Sequence, residues 1–275
     1  MWTLSGFADE ISPDLAAQCT TLRDLGIAFI EFRSAWDRNV LDLDDEQLSA
    51  ARRLLDQAGI RTSSVGSPIG KVSVLDDFDE HLRRFDRALH VAKVLEAPYI
   101  RIFSFYFPDG DDPAAHRDEV LRRLSVLAQR AGGHDVVLLH ENEKKIYGDV
   151  PERCLDIVES VGSPHLRVAW DAANFVQCGV RPFSEGFALL RPHVEYVQVK
   201  DALRADGRVV PAGEGDGELR PTLRALRDDG FDGFFSMEPH LKTAGAAGGF
   251  SGEALFRAAT TAFTDLLDAE GIAYR

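Results

Sequence analysis

Short runs of apolar, β-branched and aromatic residues alternate with longer segments of helical period along the whole chain. Several of these runs are largely apolar, as expected of strands that are buried on both faces. Strands that alternate with helices indicate successive β/α units and a parallel sheet. Eight such units are present, with strands predicted over residues 3–8, 28–32, 61–65, 99–103, 136–141, 166–171, 194–200 and 233–238.

The segments between the runs have the period of amphipathic helices. Residues 79–95 are an example, because their apolar side chains recur at steps of three and four: Leu82, Phe85, Ala88, Leu89, Ala92 and Leu95. Helix starts are predicted at Asp14 and around residues 42–46, where acidic side chains suit exposed N–H groups. No linker or repeat divides the 275 residues. The pattern therefore predicts an α/β fold, a single (β/α)₈ TIM barrel over residues 1–275.

Composition narrows the classes of function. The formal net charge of −14 argues against nucleic acid as a partner, since that binding depends on Lys and Arg contacts to phosphates. No apolar run approaches the ~18 residues of a membrane span, and the first residues do not resemble an export signal. The three cysteines lack the spacing of a disulfide framework or a thiolate metal site. We therefore expect a cytoplasmic protein without a membrane partner.

Candidate chemistry lies at the ends of the last four predicted strands. In a barrel of this kind the active site is built where strands end and loops begin, here called the barrel mouth. The fifth to eighth strands end near Glu141, Asp171, Gln198 and Glu238. Three crowded carboxylates repel one another, so a cation is needed to offset them. An all-oxygen set suits Mn²⁺ or Mg²⁺. The alternative is that each acid only caps the helix that follows it.

The segments at these strand ends resemble those of the xylose-isomerase-like sugar (phosphate) isomerase and epimerase superfamily. This superfamily includes ketose 3-epimerases, hydroxypyruvate isomerases and inosose dehydratases. The resemblance runs over nearly the whole chain, from residues 6–10 to the helix after the eighth strand. Its most specific parts are Glu141-Asn142, Asp171 with Asn174, Val199-Lys200-Asp201 and Glu238-Pro239. The resemblance implies a single xylose-isomerase-like barrel domain.

The resemblance also implies one divalent metal ion, bound by Glu141, Asp171, Gln198 and Glu238. Gln198 departs from the family, which usually has histidine at that position. An amide oxygen favours Mn²⁺ or Mg²⁺, with Co²⁺ and Zn²⁺ as alternatives. Asn174 is a second departure, because family epimerases tend to have histidine three residues after the aspartate. Both departures argue against a simple assignment to ketose epimerisation.

The activity implied is that of a metal-dependent isomerase or epimerase acting on a small ketose or keto-sugar by enediolate proton transfer. Glu141 and Glu238 would be the catalytic base and acid. The alternative is a metal-dependent dehydratase or lyase of a keto-inositol, dehydroshikimate or keto-glycoside type, because loss of a neighbouring hydroxyl uses the same enediolate. A zinc-dependent apurinic endonuclease is disfavoured by the acidic charge, and a non-catalytic sugar-binding barrel is a further alternative.

Polar residues at strand ends and on the following loops are candidates for binding the small-molecule carbohydrate. The loop at residues 213–217 is expected to be a flexible lid from which Glu214 reaches the substrate. Lys71 follows a glycine that would let the backbone approach a ligand. A homo-oligomer is compatible with the sequence. The full set of predicted substrate-binding residues is Asn174, Lys200, Arg204, Arg101, Lys71, His240 and Glu214.

Overall fold

The computed structural model describes residues 1–245 and 248–275. Eight strands form one parallel sheet, and each lies within two residues of a predicted strand at both ends. The strands are β1 (Thr3–Gly6), β2 (Phe29–Phe32), β3 (Arg61–Val65), β4 (Tyr99–Ile102), β5 (Val137–Glu141), β6 (Leu166–Asp171), β7 (Val194–Val199) and β8 (Phe234–Met237).

Neighbouring barrel strands are consecutive in the chain, except where the sheet closes on itself. β1 pairs with β8, and the order then runs from β8 back through β7 to β2. The two end strands, β1 and β2, also contact each other, which nearly closes the ring. The predicted (β/α)₈ TIM barrel is therefore confirmed.

A helix follows each strand. The helices are α1 (Leu15–Asp24), α2 (Asp45–Ala58), α3 (Phe78–Leu95), α4 (Pro113–Gly132), α5 (Pro151–Val161), α6 (Ala172–Gln177), α7 (Leu219–Asp228) and α8 (Glu253–Ala269). The sixth unit is irregular, because a π-helical segment, Pro182–Phe187, and a short turn of helix, Ala188–Leu190, follow α6. Within the described ranges, no helix has both the length and the apolar character that a membrane crossing needs.

Helix ends are set by side chains that the sequence already displays. Asp44 begins α2 with a capping box, because its carboxylate accepts the Gln47 N–H at 2.8 Å while the Gln47 side chain accepts the Asp44 N–H at 3.1 Å. Asp14 caps α1 through a single bond, in which its carboxylate accepts the Ala17 N–H at 3.1 Å. Gly59 ends α2 at a φ of 71°, which is a left-handed conformation that glycine adopts without strain.

Alternate strand residues face opposite sides of the barrel wall. Outward residues such as Val197 and Val199 belong to the large apolar core between the strands and the helices. Inward residues Leu139, Ala169 and Tyr196 form a separate cluster inside the barrel, with Tyr99 and Phe234 packed against it. These side chains fill the end of the barrel where the strands begin.

Polar side chains lie above that apolar floor. The Ser63 hydroxyl lies 2.9 Å from the Tyr196 hydroxyl and 2.6 Å from the Ser5 hydroxyl, and all three residues are buried. The barrel interior thus changes from apolar to polar along the strands, toward the mouth where the candidate site lies.

Candidate metal and active site

Three buried carboxylates meet at the barrel mouth. Glu141 ends β5, Asp171 ends β6, and Glu238 follows β8 directly. One oxygen from each carboxylate lies within 4.8 Å of the others, and the residues are 2%, 0% and 2% exposed. We call these three residues the carboxylate cluster. They converge because each lies two residues beyond an inward-facing residue of its own strand.

Lys200 places an ammonium group between two members of the cluster. Its Nζ lies 2.9 Å from Asp171 Oδ2 and 2.9 Å from Glu238 Oε2. Lys200 follows β7 two residues after Gln198, so both side chains face the barrel interior. The side chain is 5% exposed, which makes these ion pairs almost fully buried.

Two arginines complete the charge balance of the cluster. Arg101 on β4 places Nη1 3.1 Å from Glu141 Oε2, and Arg33 after β2 donates from Nη1 to Glu238 Oε1 at 3.0 Å. Arg33 is also fixed by Asp9, to which its Nε and Nη2 donate at 2.7 and 3.1 Å. Each carboxylate of the cluster therefore has a basic partner supplied by the chain itself.

Gln198 lies inside the barrel beside the cluster. Its Cα is paired with that of Asp171 across β6 and β7. Its Nε2 donates to Glu31 Oε2 at 3.0 Å, while its Oε1 is buried and has no hydrogen-bond donor within the described part of the chain. A buried carbonyl oxygen without a donor is costly unless it has another partner. This orphaned oxygen and the three carboxylates form an all-oxygen donor set that fits a hard divalent cation.

Asparagine side chains orient the carboxylates. Asn174 donates from Nδ2 to Glu141 Oε1 at 3.2 Å and to the Asn142 carbonyl at 2.9 Å. Asn142 exchanges two bonds of 2.9 Å with the backbone of Asp171. The Asn174 N–H also donates to Asp171 Oδ1 at 2.8 Å, which caps α6. Asn174 was predicted to bind substrate, and the structure places its amide in contact with Glu141 of the cluster.

The cluster separates the pKa values of its two glutamates. Burial raises the pKa of Glu141 to about 8, with Arg101 opposing the shift. Burial also acts to raise the pKa of Glu238, but the charges of Lys200, His240 and the two arginines outweigh it and hold the value well below its usual range. Two chemically identical side chains are therefore held in different environments within one site.

His240 faces the cluster from the loop after β8. Its Nε2 lies 3.7 Å from Glu238 Oε1 and 3.8 Å from Glu10 Oε1, and has no hydrogen-bond partner among the described residues. Glu10 anchors this loop, because its Oε2 accepts the His240 N–H at 2.8 Å and the Ser251 hydroxyl at 2.7 Å. Among the described residues, His240 thus presents a ring nitrogen without a hydrogen-bond partner at the barrel mouth, and its predicted role in binding substrate stays a prediction.

Lys71 lies at the edge of the mouth. Its Nζ is 3.3 Å from Glu143 Oε2 and 4.2 Å from the centre of the Phe103 ring. The preceding Gly70 has a φ of 87°, and a Cβ there would lie 2.0 Å from the Phe103 carbonyl oxygen. The sequence predicted that this glycine lets the backbone approach a ligand. In the structure, Gly70 lets the backbone approach Phe103 of the same chain.

Two predicted substrate-binding residues are not brought to the cluster. Arg204 is exposed and donates from its guanidinium to the carbonyls of Gly179 and Val180, at 3.0 Å each. Glu214 is also exposed. Both residues lie on the long connection after β7. The two-residue period of a strand does not predict the direction in which the following loop runs.

The glycine-rich loop at residues 213–217 is fastened to Asp201. The carboxylate of Asp201 accepts the N–H groups of Gly213, Gly215 and Gly217 at 3.0, 3.1 and 2.8 Å. A Cβ at Gly215 would lie 2.4 Å from Asp201 Oδ1. The expected flexible lid is therefore a turn wrapped around a buried carboxylate, and this explains why glycine recurs at every second position.

Sequence reasoning assigned no site role to Glu10, Glu31 or Asp201. Glu31 on β2 and Arg33 just after it lie two and four residues beyond Phe29. This two-residue spacing of ionisable side chains on an otherwise apolar strand was the sequence feature that could have indicated a site role for Glu31. Asp201 follows Lys200 directly and belongs to the Val199-Lys200-Asp201 motif of the family resemblance, which assigns it no role of its own. Glu10 gave no local signal, since its partners lie about 230 residues away in the chain.

Several proteins resemble this chain. A curated relative from Bacillus anthracis, named 3-dehydroshikimate dehydratase, is 22% identical over 135 residues, 49% of this chain and about half (48%) of the relative. The solved structure of a D-tagatose 3-epimerase-like protein has a TM-score of 0.77 at 15% identity and covers 97% of each chain. A xylose isomerase-like TIM barrel protein from Mycobacterium smegmatis, solved in complex with magnesium, has a TM-score of 0.69 at 18% identity, again covering 97% of each chain.

The structural similarities establish a shared fold, and one of these relatives binds magnesium. The family model described as xylose isomerase-like TIM barrel matches residues 19–259. This match includes β2 to β8 and all the carboxylates of the cluster. The chain belongs to the xylose isomerase-like TIM barrel family.

Proposed function

We propose that this protein is a divalent-metal-dependent isomerase or epimerase that acts on a small ketose or keto-sugar by enediolate proton transfer. The observation that carries the proposal is the convergence of Glu141, Asp171 and Glu238 within 4.8 Å. Gln198 lies opposite Asp171 on the neighbouring strand, and its Oε1 has no hydrogen-bond donor among the described residues. These four residues would hold the metal ion, and their oxygens favour Mg²⁺ or Mn²⁺. A bound ion would polarise a substrate carbonyl and so acidify the neighbouring C–H bond.

Glu141 and Glu238 are suited to the roles of acid and base because they approach the cluster from different sides. Glu141 ends β5 and Glu238 follows β8, and two other strands, β6 and β7, lie between β5 and β8 in the ring. One carboxylate removes a proton from the substrate carbon, and the other returns a proton on the opposite face or at the next carbon. Arg101 and Asn174 contact Glu141 and hold it in a fixed orientation.

Substrate oxygens would be bound by donors that face the same space. His240 offers a ring nitrogen that lies 3.7 Å from Glu238 Oε1 and has no hydrogen-bond partner in the described part of the chain. Lys200 and Lys71 supply ammonium groups at the centre and the edge of the mouth. Such polar, buried surroundings suit a polyhydroxylated ligand, whose hydroxyl groups need hydrogen-bond partners when they leave water.

A second candidate is a dehydratase, supported by the curated relative named 3-dehydroshikimate dehydratase. Proton removal next to the carbonyl would be the same step. The intermediate would then lose a hydroxyl from the adjacent carbon as water, with a glutamate or His240 donating the proton. Keto-inositols, dehydroshikimate and keto-glycosides have the required arrangement of carbonyl, C–H and leaving group.

Incubation of the metal-loaded protein with candidate ketoses and cyclic keto compounds in D₂O separates the two activities. Deuterium incorporation without loss of water is the result expected for an isomerase or epimerase, and an enone product would indicate the dehydratase. Chelator-treated protein and Glu238→Gln are the controls. Absence of metal by elemental analysis, together with no change in melting temperature when Mn²⁺ or Mg²⁺ is added, would refute the metal centre.

A further inference from the structure

Lys200 and Arg33, two basic residues of the mouth, are held in different ways. Its Nζ contacts two carboxylates of the cluster, Asp171 and Glu238, at 2.9 Å each. Arg33, in contrast, is fixed from outside the cluster by two contacts to Asp9. Within the described residues, the ion pairs of Lys200 are with the cluster alone. Its position depends on carboxylates that are also the proposed metal ligands.

We propose that the Lys200 ammonium is a resident cation of the metal-free protein and competes with the metal ion for Asp171 and Glu238. This inference rests on the proposed metal centre. The ammonium neutralises carboxylates that would otherwise repel one another in a buried space. A divalent ion bound to the same two carboxylates must share or replace these contacts, and two cations at one pair of oxygens repel each other.

Lysine is suited to such an exchange. Its single ammonium lies at the end of a flexible four-carbon chain, whereas an arginine held by a fork of bonds is more rigid. Lys200 can therefore give up its two contacts while Arg33 and Arg101 keep theirs to the outer oxygens of Glu238 and Glu141. The displaced ammonium becomes available as a donor to substrate oxygens, so that metal binding and substrate binding would be coupled through one side chain.

Competition predicts that removing the ammonium strengthens metal binding. Mn²⁺ affinity should be measured by isothermal titration calorimetry on chelator-stripped wild type, Lys200→Met and Lys200→Gln. Lys71→Met is the matched control, because it removes a partly buried lysine charge from the same mouth, and this lysine is paired with Glu143. We expect Lys200→Met to bind Mn²⁺ at least about tenfold more tightly, and Lys71→Met to change the affinity by less than about threefold, since Lys200 contacts two of the proposed ligands directly and Lys71 is paired with Glu143.

Thermal unfolding gives a second readout that does not depend on activity. Without metal, Lys200→Met should melt at a lower temperature than wild type, because the cluster loses its buried counter-ion. Saturating Mn²⁺ should recover most of that loss. If the methionine variant does not fold without metal, Lys200→Gln, which keeps an N–H donor without the charge, carries the affinity comparison.

The outcomes separate the inference from the proposed function. If Mn²⁺ binds to wild type, and binds to both Lys200 variants equally tightly or more weakly, the proposed competition is overturned. The proposed metal centre then stands. An equal gain in affinity for Lys71→Met would also overturn it, because the effect would then come from general charge. Failure of every protein to bind Mn²⁺ would overturn both the metal centre and the inference.

Discussion

Replacing Asp201 with asparagine is expected to unfasten the glycine-rich loop that follows β7. The two carboxylate oxygens accept four backbone N–H groups. Oδ1 accepts those of Ala202 and Gly217, at 2.8 Å each, and Oδ2 accepts those of Gly213 and Gly215, at 3.0 and 3.1 Å. Asparagine keeps one acceptor oxygen and puts an NH₂ group in place of the other. In either orientation of the amide, two N–H groups lose their acceptor.

The magnitude follows from the burial of these bonds. Asp201 is 1% exposed; its bonds from Ala202 and Gly217 are buried and those from Gly213 and Gly215 are partly buried, so the loss is smaller when the amide NH₂ faces Gly213 and Gly215. A buried donor left without a partner costs about 1–3 kcal/mol, and two of them cost about 2–6 kcal/mol in the free energy of unfolding. Domains of this kind are stabilised by about 5–15 kcal/mol in total, so a loss of this size is readily measured.

Urea unfolding followed by circular dichroism gives the free energy of unfolding from the midpoint and the slope. Glu214→Gln is the control, because it changes an exposed side chain of the same loop and should alter stability by less than about 0.5 kcal/mol. Gly217→Ala tests the same contact from the other side, since its Cβ would lie 2.6 Å from Asp201 Oδ1. A loss below about 1 kcal/mol for Asp201→Asn would refute the view that this carboxylate fastens the loop.

Three further predictions address the site and the pH dependence of stability. Glu141→Gln and Glu238→Gln should each abolish turnover in steady-state assays while the circular dichroism spectrum stays native, because an amide cannot accept the proton; rates near that of wild type would contradict the acid and base roles. Gln198→His should retain a bound metal but shift selectivity toward Co²⁺, Ni²⁺ or Zn²⁺ in calorimetric titrations, and unchanged preference would remove Gln198 from the ligand set. Burial lowers the pKa of His81 from 6.5 to about 4, so the unfolded chain takes up its proton first as the solution is acidified. The contribution of His81 to the free energy of unfolding should therefore be fully present above pH 6.5 and fall by up to about 3 kcal/mol toward pH 4. The difference in unfolding free energy between wild type and His81→Gln should change with pH over this range, while the difference between wild type and the exposed His134→Gln should not.

The fold was predictable because its signals are local. A buried strand of a parallel barrel is a short apolar run, and residues such as Val197 and Val199 display that run directly. The carboxylate cluster was predictable for a related reason. Strand ends of a barrel meet at one mouth, so Glu141 and Asp171, at the ends of β5 and β6, had to lie close together.

The rest of the site depends on contacts between distant parts of the chain. Gln198 donates to Glu31, 167 residues away, and the anchoring of the loop after β8 depends on Glu10, 230 residues before His240. Neither partner is implied by a periodic pattern. The exposed positions of Arg204 and Glu214 could not be predicted for a different reason, because a loop leaves its strand in a direction that hydrophobic periodicity does not specify.

The register of β7 bears directly on the metal proposal. A shift of one residue would have turned Gln198 outward and brought Val197 and Val199 inside. Both valines instead belong to the outer core, while Tyr196 lies in the inner cluster. Gln198 therefore faces the interior, where its Oε1 has no donor within the described ranges and can serve as a ligand.

Charge balance at the mouth changes the argument for a metal. Three crowded carboxylates were expected to need an external cation, yet Lys200 and two arginines already give each of them a basic partner. Repulsion among the carboxylates is thus a weak argument, because the folded chain offsets it alone. The stronger argument is geometric, since the cluster oxygens converge within 4.8 Å beside an orphaned amide oxygen. A metal ion at this position must therefore compete with the protein's own cations for the carboxylates. Its binding constant measures the difference between the free energy of its own contacts and that of the contacts it replaces.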